Sequence, residues 1–143
     1  MIFTPMLEIT TDRNRIDLKF VYHYLNKISY WAKGIPFNIF EQSLQNSICF
    51  SVFKDQKQIG FARVVTDKAT FAYLADVFID DSHRGHGYSK ELMTFVKSHP
   101  DLQTIRRWML MTRDAHGLYE QFAFTPLKKP EMAMEIRLEN PYG

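Results

Sequence analysis

A short loop that carries two glycines and an arginine is the part of this sequence best suited to chemistry. It reads R-G-H-G-Y-S over residues 84–89 and stands between a strand-like run and a helical pattern. Glycine has no Cβ, so a backbone with two glycines turns tightly and approaches a ligand closely. The start of a helix offers unpaired N–H groups and the positive end of a dipole. A diphosphate suits such a site, and Arg84 would add a cation beside it.

The same loop has a purely structural alternative, and several kinds of binding site can be excluded for it. A Gly-x-Gly turn also occurs where a strand merely turns into a helix, so a purely structural loop remains an alternative. Two established phosphate motifs are excluded, because the sequence has no G-x-x-x-x-G-K-[ST] and lacks the third glycine of the dinucleotide fingerprint. His83 and His86 have H-x-x-H spacing, but no further ligand cluster is evident. We therefore expect no metal site.

Apolar periodicity predicts the elements that hold this loop in place. Helical spacing predicts helices over 18–28, with Asp17 as the N-cap, around 39–44, over 88–99 and over 115–122. Alternating or β-branched runs predict strands over 7–10, 47–52, 57–66, 70–79, 106–111 and 132–138. Short polar links predict antiparallel neighbours between 47 and 79, and a strand–helix–strand order predicts one parallel pair after them. The expected fold is α/β (α+β), a mixed, mostly antiparallel central sheet with helices on both faces.

The bulk composition limits the classes of function. The 143 residues match the size of one domain, 1–143, and 45% of them are hydrophobic. A formal net charge of +2 argues against a nucleic-acid partner, which favours a concentrated basic face. The longest apolar run, 71–75, is too short for a membrane span, and residues 1–14 lack a signal-peptide pattern. The single cysteine, Cys49, excludes an internal disulfide and favours a reducing, cytoplasmic location.

Two linked motifs resemble those of the GNAT superfamily of N-acetyltransferases. The run I-D-D-S-H-R-G-H-G-Y-S, residues 79–89, resembles the family's cofactor loop, an apolar strand end followed by [QR]-x-x-G-x-[GA]. The run T-R-D-A-H-G-L-Y-E-Q-F-A-F, residues 112–124, resembles the family's N-x-x-A-x-x-L-Y-x-x-x-G-F helix. The order of elements is also similar over nearly the whole chain. The resemblance implies a GNAT-like acyl-CoA N-acyltransferase fold.

Three positions depart from the family pattern. Ser89 replaces the last Gly or Ala of the loop, and its small hydroxyl side chain leaves room for a phosphate. Thr112 stands where Asn is common, which alters one polar contact to the cofactor. Ala123 replaces the Gly that usually ends the last helix. If that position needs a positive φ, Ala costs about 1 kcal/mol there.

The resemblance implies acetyl-CoA as the acyl donor, an amine acceptor and no metal. The backbone of Val77, Phe78 and Ile79 would hold the pantetheine arm and donate to the oxyanion, and Thr112 would lie at the cofactor. The pyrophosphate would be bound by the loop, which consists of Arg84, Gly85, His86, Gly87, Tyr88 and Ser89. Tyr119 matches the tyrosine that contacts the cofactor and protonates the departing thiolate. An apolar ring on an amphipathic helix is the alternative for Tyr119.

The general base and the acceptor site are less fully specified. Asp76 is the first candidate for the base, and Asp114, His116 or a water relay are others. Asp76 could instead pair with Arg63 on the neighbouring strand as a structural ion pair. Tyr30 and Trp31, in an aromatic loop between the first two helices, are predicted to contact the acceptor, because the family's acceptor pocket borders that loop; core packing is the alternative.

The expected partners follow from the same resemblance. The acceptor is expected to be a primary amine of a small molecule or a peptide, with no nucleic acid and no membrane involved, and a homodimer is a common arrangement in such domains. A non-catalytic acyl-CoA-binding regulatory module is the competing function. Tyr119 argues against that alternative, because a protein that only binds acyl-CoA needs no acid for a thiolate.

Overall fold

The computed structural model describes residues 7–143, and a five-stranded sheet forms its centre. The strands are β1 (Leu7–Thr10), β2 (Ile48–Lys54), β3 (Lys57–Thr66), β4 (Phe71–Ile79) and β5 (Arg107–Leu110). They follow each other in chain order across the sheet. The pairs β1–β2, β2–β3 and β3–β4 are antiparallel, and β4–β5 is parallel. The predicted mixed, mostly antiparallel sheet is therefore confirmed.

Four α-helices accompany the sheet in the described range. They are α1 (Leu18–His23), α2 (Phe37–Gln45), α3 (Tyr88–Ser98) and α4 (His116–Glu120). The N-cap predicted at Asp17 is present, since its side chain accepts a hydrogen bond of 3.1 Å from the Phe20 N–H. The first helix continues as a π-helical turn, Tyr24–Ile28, before the aromatic loop begins. The chain thus enters that loop from a wider turn than the periodic pattern alone predicts.

The tight turns between the antiparallel strands have local causes. Asp55 and Gln56 both take positive φ, 51° and 68°, which is the backbone of a type I′ hairpin. In the next turn, the Asp67 carboxylate accepts hydrogen bonds from the N–H groups of Ala69 and Thr70. These short links join β2 to β3 and β3 to β4 as hairpins.

Two apolar clusters cover the two faces of the sheet. On one face α3 packs against the strands, with Phe50, Val64, Leu92, Met93 and Val96 fully buried. On the other face α1 and α2 pack against the sheet, with Val21, Leu25, Phe40, Phe61 and Phe78 buried. Burying one such side chain fully contributes about 1.5–3 kcal/mol. Both faces are therefore held by helices, as expected from the sequence.

The strand predicted over 132–138 is wrong. The described chain has a short 3₁₀ turn at Pro130–Met132 and then runs on without pairing to the sheet. Met132, Met134, Ile136 and Leu138 are between 72% and 100% exposed. An alternating apolar pattern forms a strand only where the segment can reach the unpaired edge of a sheet. Here Phe124 and Tyr142 pack against the two apolar clusters, and the apolar residues between them stay exposed.

Candidate cofactor and acceptor site

The pairing between β4 and β5 ends partway along β4. The β4–β5 pairing runs from Phe71 to Leu74 of β4 and ends at Leu110 of β5. Beyond that point β4 continues to Ile79 and pairs with β3 alone. The backbone groups of Val77, Phe78 and Ile79 on the β5 side therefore have no strand partner among residues 7–143. An extended, amide-containing ligand could pair with this edge as an added strand would.

A β-bulge lies in the second half of β4, next to this unpaired edge. Phe61 pairs with Phe78 and Arg63 pairs with Ala75, so two residues of β4 lie opposite the single Ala62 of β3. Asp76, one of these two residues, has a φ of 55°. A bulge bends its strand and increases the local twist. The bulge lies just beyond Leu74, the last residue of β4 that pairs with β5.

The two-glycine loop follows β4 and leads into α3. Gly85 and Gly87 have φ values of 84° and 77°, and Gly87 is the N-cap of α3 without any side-chain cap. No heavy atom lies within 4 Å of a Cβ built on either residue. The loop therefore presents open space and the uncapped first turn of an eleven-residue helix. This is the arrangement that accommodates a diphosphate.

The Arg84 side chain is held by three neighbouring groups. Its Nε donates to the Ile79 carbonyl oxygen at 3.2 Å, and its Nη2 donates to the Tyr24 hydroxyl at 2.9 Å. Nη2 also lies 3.0 Å from an Asp81 carboxylate oxygen. Arg84 thus ties the cofactor loop to the π-helical turn, while its exposed guanidinium stays next to the loop.

A cavity of about 530 Å³ lies between the end of β4, the cofactor loop, the aromatic loop and α4. Eight of the residues predicted for the site line it, namely Tyr30, Trp31, Val77, Phe78, Ile79, Arg84, Ser89 and Tyr119. The other predicted residues, Asp76, Gly85, His86, Gly87, Tyr88 and Thr112, are not among its lining residues. The cavity thus brings donor and acceptor candidates to one place.

Tyr119 is buried in the wall that α4 forms. Its ring makes an edge-to-face contact with Phe124, with 5.9 Å between ring centroids. Burial, with smaller contributions from Tyr30 and Asp114, raises the pKa of Tyr119 to about 12. The phenol therefore carries its proton throughout the physiological range. A neutral hydroxyl that faces a cavity can donate a hydrogen bond to a developing thiolate.

The two departures from the family pattern near α4 have visible structural roles. Thr112 Oγ1 accepts a hydrogen bond of 3.0 Å from the Ala115 N–H and so closes the turn that leads into α4. Ala123 has a φ of 72°, the left-handed conformation that glycine adopts without penalty. Position 123 therefore does need a positive φ, which is the case in which Ala is less favourable than Gly.

Asp76 is held by two neighbours, one at each carboxylate oxygen. Arg63 Nε donates to Oδ2 at 2.8 Å, and Trp31 Nε1 donates to Oδ1 at 2.8 Å. The Asp76 side chain is only 8% exposed. Arg63 in turn donates from Nη1 to the Ser47 hydroxyl. Asp76 therefore connects the aromatic loop to the sheet through a buried ion pair.

Tyr30 forms a second connection, on the other side of the cavity. The Arg113 N–H donates to the Tyr30 hydroxyl at 2.9 Å, and the Arg113 guanidinium lies 3.9 Å from the centre of the ring. Tyr30 and Trp31 meet edge to face, with 5.0 Å between their centroids. Both side chains are partly exposed. They form a fixed aromatic wall rather than part of the core.

Tyr24 is a site residue that sequence reasoning missed. It stacks on Phe78 with 3.8 Å between nearly parallel rings, and burial raises the pKa of its phenol. It lies three residues after Val21 and four before Ile28, so helical spacing indicates a core position and gives no sign of a role in the site. Asp114 and Leu118 also line the cavity.

Two features are absent from residues 7–143. No helix there has the length and apolar character needed to cross a membrane. Within the same range, no group of three His, Cys, Asp or Glu side chains comes together as a potential metal site.

Comparisons with known proteins give one consistent picture. The family model described as "Acetyltransferase (GNAT) domain" matches residues 45–126. A solved structure of a GNAT-family protein from Xanthomonas campestris pv. campestris is 44% identical, covers 98% of this chain and 99% of its own, and superposes with a TM-score of 0.94. The ribosomal-protein-S18-alanine N-acetyltransferase of Escherichia coli shares the fold at a TM-score of 0.69 and 18% identity, with 84% of this chain and 78% of that one covered.

A curated relative matches over a shorter stretch. The Gibberella zeae protein named "Putative acetyltransferase FG08082" is 28% identical over 109 residues. The match covers 63% of this chain and 62% of that protein, so the chain spans less than two thirds of this relative.

Proposed function

Because the chain belongs to the GNAT family of acetyltransferases, we propose that it transfers the acetyl group of acetyl-CoA to a primary amine of a small molecule or peptide. The observation that carries the proposal is the unpaired end of β4, which lies beside the open two-glycine loop and the buried Tyr119. The three features supply an amide edge, an anion site and a proton donor around one cavity. The single buried cysteine supports a cytoplasmic location.

The donor would lie in the opening between β4 and β5. Its pantetheine amides would pair along Val77, Phe78 and Ile79, on the side of β4 that has no strand partner among residues 7–143. Its diphosphate would meet the loop and the first turn of α3, because the absence of a Cβ at Gly85 and Gly87 leaves that space free. Acetyl-CoA supplies an activated carbonyl and a thiolate leaving group. No metal has a part in this proposal.

Tyr119 would act on the leaving group. As the amine nitrogen bonds to the carbonyl carbon and the carbon–sulfur bond breaks, the nitrogen gives up a proton and the sulfur must gain one. The pKa of about 12 keeps the Tyr119 proton in place for that moment. General acid catalysis of this kind contributes about 10²–10⁴-fold to a rate.

The sequence allows Asp76 to be either a base or a structural partner of Arg63, and its surroundings support the second role. Both of its oxygens already accept hydrogen bonds, and its carboxylate lies outside the cavity lining. It would act through Trp31, whose indole it holds in one orientation. The proton from the amine would then pass to water or to Asp114, which lines the cavity.

The aromatic wall of Tyr30 and Trp31 would meet the body of the acceptor. Two partly exposed rings fixed at right angles offer an apolar surface and a ring face to a cation. Acceptors with an aromatic or aliphatic body behind the amine would fit it best. The hydrogen bonds to Asp76 and Arg113 would hold the wall in place before the acceptor arrives.

Thiol release tests the function directly. The protein is mixed with acetyl-CoA and a panel of primary amines, and free thiol is followed against a control without protein. Amine-dependent release of CoA is the expected result. In parallel, CoA at a hundredfold excess over its dissociation constant stabilises the native state by about 2.7 kcal/mol, seen as a higher Tm. A higher Tm without thiol release from any amine would favour the regulatory, non-catalytic module.

A further inference from the structure

A second cavity, of about 270 Å³, lies at the other end of the sheet from the candidate site. It is formed by the 3₁₀ turn Arg13–Arg15, the end of α2, the turn after β3 and the segment after α3. It is termed the distal cavity, and the residues that define it are Arg13, Ser47, Thr66, Lys68, His99 and Asp101. The candidate site borders Ile79, which pairs with Gly60, and Thr66 lies about 20 Å further along β3. The two cavities are therefore separate.

The lining of the distal cavity carries more positive than negative charge. Arg13 and Lys68 are its cations, and Asp101 is its one carboxylate. Lys68 Nζ lies 3.9 Å from Asp101 Oδ2, and both side chains are at least half exposed, so this ion pair is weak. Among residues 7–143, Arg13 forms no ion pair with a carboxylate. One positive charge of the cavity is therefore uncompensated.

Arg13 is held at the cavity wall by backbone carbonyl groups. Its Nη1 donates to the Leu44 carbonyl oxygen and its Nη2 to the Ser47 carbonyl oxygen, at the C-terminal end of α2. Capping of that helix accounts for these two hydrogen bonds. A guanidinium has five N–H groups, however, and Arg13 is exposed. Donors and charge thus remain for an oxyanion, which pairs well with a fixed guanidinium.

His99 adds a neutral donor to the same cavity. Its Nδ1 accepts a hydrogen bond of 3.1 Å from the Asp101 N–H, so the proton of the neutral ring lies on Nε2. The ring packs edge to face on Phe50, with 5.6 Å between centroids, which fixes its orientation. The cavity is far larger than the roughly 30 Å³ that one water molecule occupies. Its size and donors therefore suit a small organic anion.

A chain of hydrogen bonds joins the distal cavity to the acceptor wall. The Ser47 hydroxyl accepts a hydrogen bond of 3.0 Å from Arg63 Nη1. Arg63 also donates to Asp76, whose other oxygen accepts from Trp31 Nε1. Ser47 is buried, and its carbonyl oxygen is one of the two that Arg13 binds. Arg13 and Trp31 thus stand at the two ends of one polar chain.

We propose that the distal cavity binds a small organic oxyanion, a carboxylate or a phosphate ester, and that its binding is transmitted to Trp31 through Ser47, Arg63 and Asp76. An oxyanion on Arg13 would compete with the Ser47 carbonyl for the guanidinium and so move the Ser47 hydroxyl against Arg63. Linked hydrogen bonds in a buried environment polarise one another, so a change at one end alters the others.

Binding at the distal cavity does not depend on the proposed catalytic function. Its effect on the acceptor does rest on that function, because Trp31 forms part of the acceptor wall. By linkage, an anion that changes the affinity for the acceptor must have its own affinity changed by the same factor. The distal cavity would then be a regulatory site for acceptor binding.

Calorimetry with malate and with glycerol 3-phosphate tests the binding. The two anions distinguish a carboxylate from a phosphate ester, and uncharged glycerol at the same sodium chloride concentration is the control. At least one of the anions should bind with a dissociation constant below about 1 mM, and glycerol should not bind.

Two variants locate the site, and a third is their matched control. Arg13→Gln removes the uncompensated charge and should raise the dissociation constant at least about tenfold. Arg15→Gln makes the same change in the same turn, but Arg15 pairs with Glu8 and does not line the cavity, so binding should be unaltered. Lys68→Gln, at an exposed side chain on the opposite wall, should also weaken binding. It carries the test if circular dichroism shows that Arg13→Gln is unfolded.

Nuclear magnetic resonance of the tryptophan indole groups tests the transmission. The chain has two tryptophans, and Trp31→Phe identifies the Trp31 signal. The anion should shift the Trp31 indole N–H signal and leave that of Trp108 in place. Ser47→Ala removes the hydroxyl that contacts Arg63 and keeps the carbonyl that Arg13 binds. It should retain anion binding and lose the shift at Trp31. Neither acetyl-CoA nor an amine is present, so the result is independent of the proposed function.

Three results would overturn the proposal. The first is that neither anion binds at up to about 10 mM. The second is that Arg13→Gln and Arg15→Gln weaken binding equally, which would indicate diffuse attraction to a basic surface. The third is that anion binding leaves the Trp31 signal unmoved, which would exclude the connection to the acceptor wall.

Discussion

At the scale of single residues, Tyr119 gives the sharpest test of chemistry. Tyr119→Phe keeps the buried ring and removes only the hydroxyl, so packing against Phe124 is retained. We expect kcat to fall by about 10²–10⁴-fold with little change in CoA affinity. The measurement is steady-state thiol release, with CoA affinity taken from calorimetry. An unaltered kcat where chemistry limits turnover would assign Tyr119 to the core.

The pair of Asp76 and Trp31 distinguishes positioning from catalysis. Trp31→Phe keeps an aromatic ring and removes the N–H that reaches Asp76, so it should raise the acceptor KM and leave CoA affinity unchanged. Asp76→Asn should shift the same constant in the same direction and leave the pH profile of kcat in place. A loss of kcat that alkaline pH restores would instead identify Asp76 as the base. Trp31→Ala should raise the acceptor KM further, because it also removes the ring.

Ala123 offers a gain of stability. Its φ of 72° is costly for any residue with a Cβ, so Ala123→Gly should increase the free energy of unfolding by about 1 kcal/mol. Urea denaturation measures the change. Ala133→Gly is the control, since Ala133 has a φ of −97° and an exposed side chain. There the extra freedom of glycine should leave stability unchanged or slightly lower.

At the scale of elements, the loop between β4 and α3 carries the donor prediction. Gly87→Val should weaken CoA binding at least about tenfold, because a branched side chain would fill the open space before α3. The positive φ at Gly87 adds a backbone strain of about 1–2 kcal/mol, so stability should fall too. Gly34→Val is the matched control: its φ is 84°, so it carries the same strain away from the loop. Equal CoA affinities in the two variants would contradict the loop assignment.

The elements show which features the sequence could predict. The strands and helices from residue 7 to residue 122 follow alternation or helical spacing, and the structure places them close to the predicted bounds. The π-helical turn and the β4 bulge lie beyond such prediction, because each depends on contacts with distant residues. Tyr24 meets Phe78 and Asp76 meets Trp31 only after the sheet has formed. Residues 132–138 have a strand-like alternation, but pairing depends on an edge elsewhere in the chain, which the local pattern does not encode.

At the scale of the whole molecule, buried phenol and thiol groups predict alkaline sensitivity. Burial raises the pKa of Cys49 from 9.0 to about 11 and that of Tyr119 from 10.0 to about 12. As the pH rises, the unfolded chain therefore loses these protons before the folded protein does. The contribution of these two groups to the free energy of unfolding is fully present below pH 9 and is lost as the pH rises toward 11–12. A difference of one between the folded and unfolded pKa of a group corresponds to at most about 1.4 kcal/mol of stability.

Melting curves between about pH 7 and pH 11 check this expectation. Tm should be flat up to about pH 9 and then decline. In Cys49→Ala the decline between about pH 9 and pH 10 should be shallower, since one of the groups that ionise in the unfolded chain is gone. Equal slopes in the two proteins would contradict the raised pKa assigned to Cys49.

The aromatic loop is fastened to the rest of the protein by side chains, Trp31 to Asp76 and Tyr30 to Arg113, and this has a consequence for divergence among relatives. The family model covers residues 45–126, which contain the donor loop and Tyr119, whereas Tyr30 and Trp31 precede that range. A change at either ring would alter the acceptor wall without disturbing a strand or the donor loop. Under the proposed function, descendants of such a chain would therefore exchange one amine for another in single steps while retaining the same acyl donor.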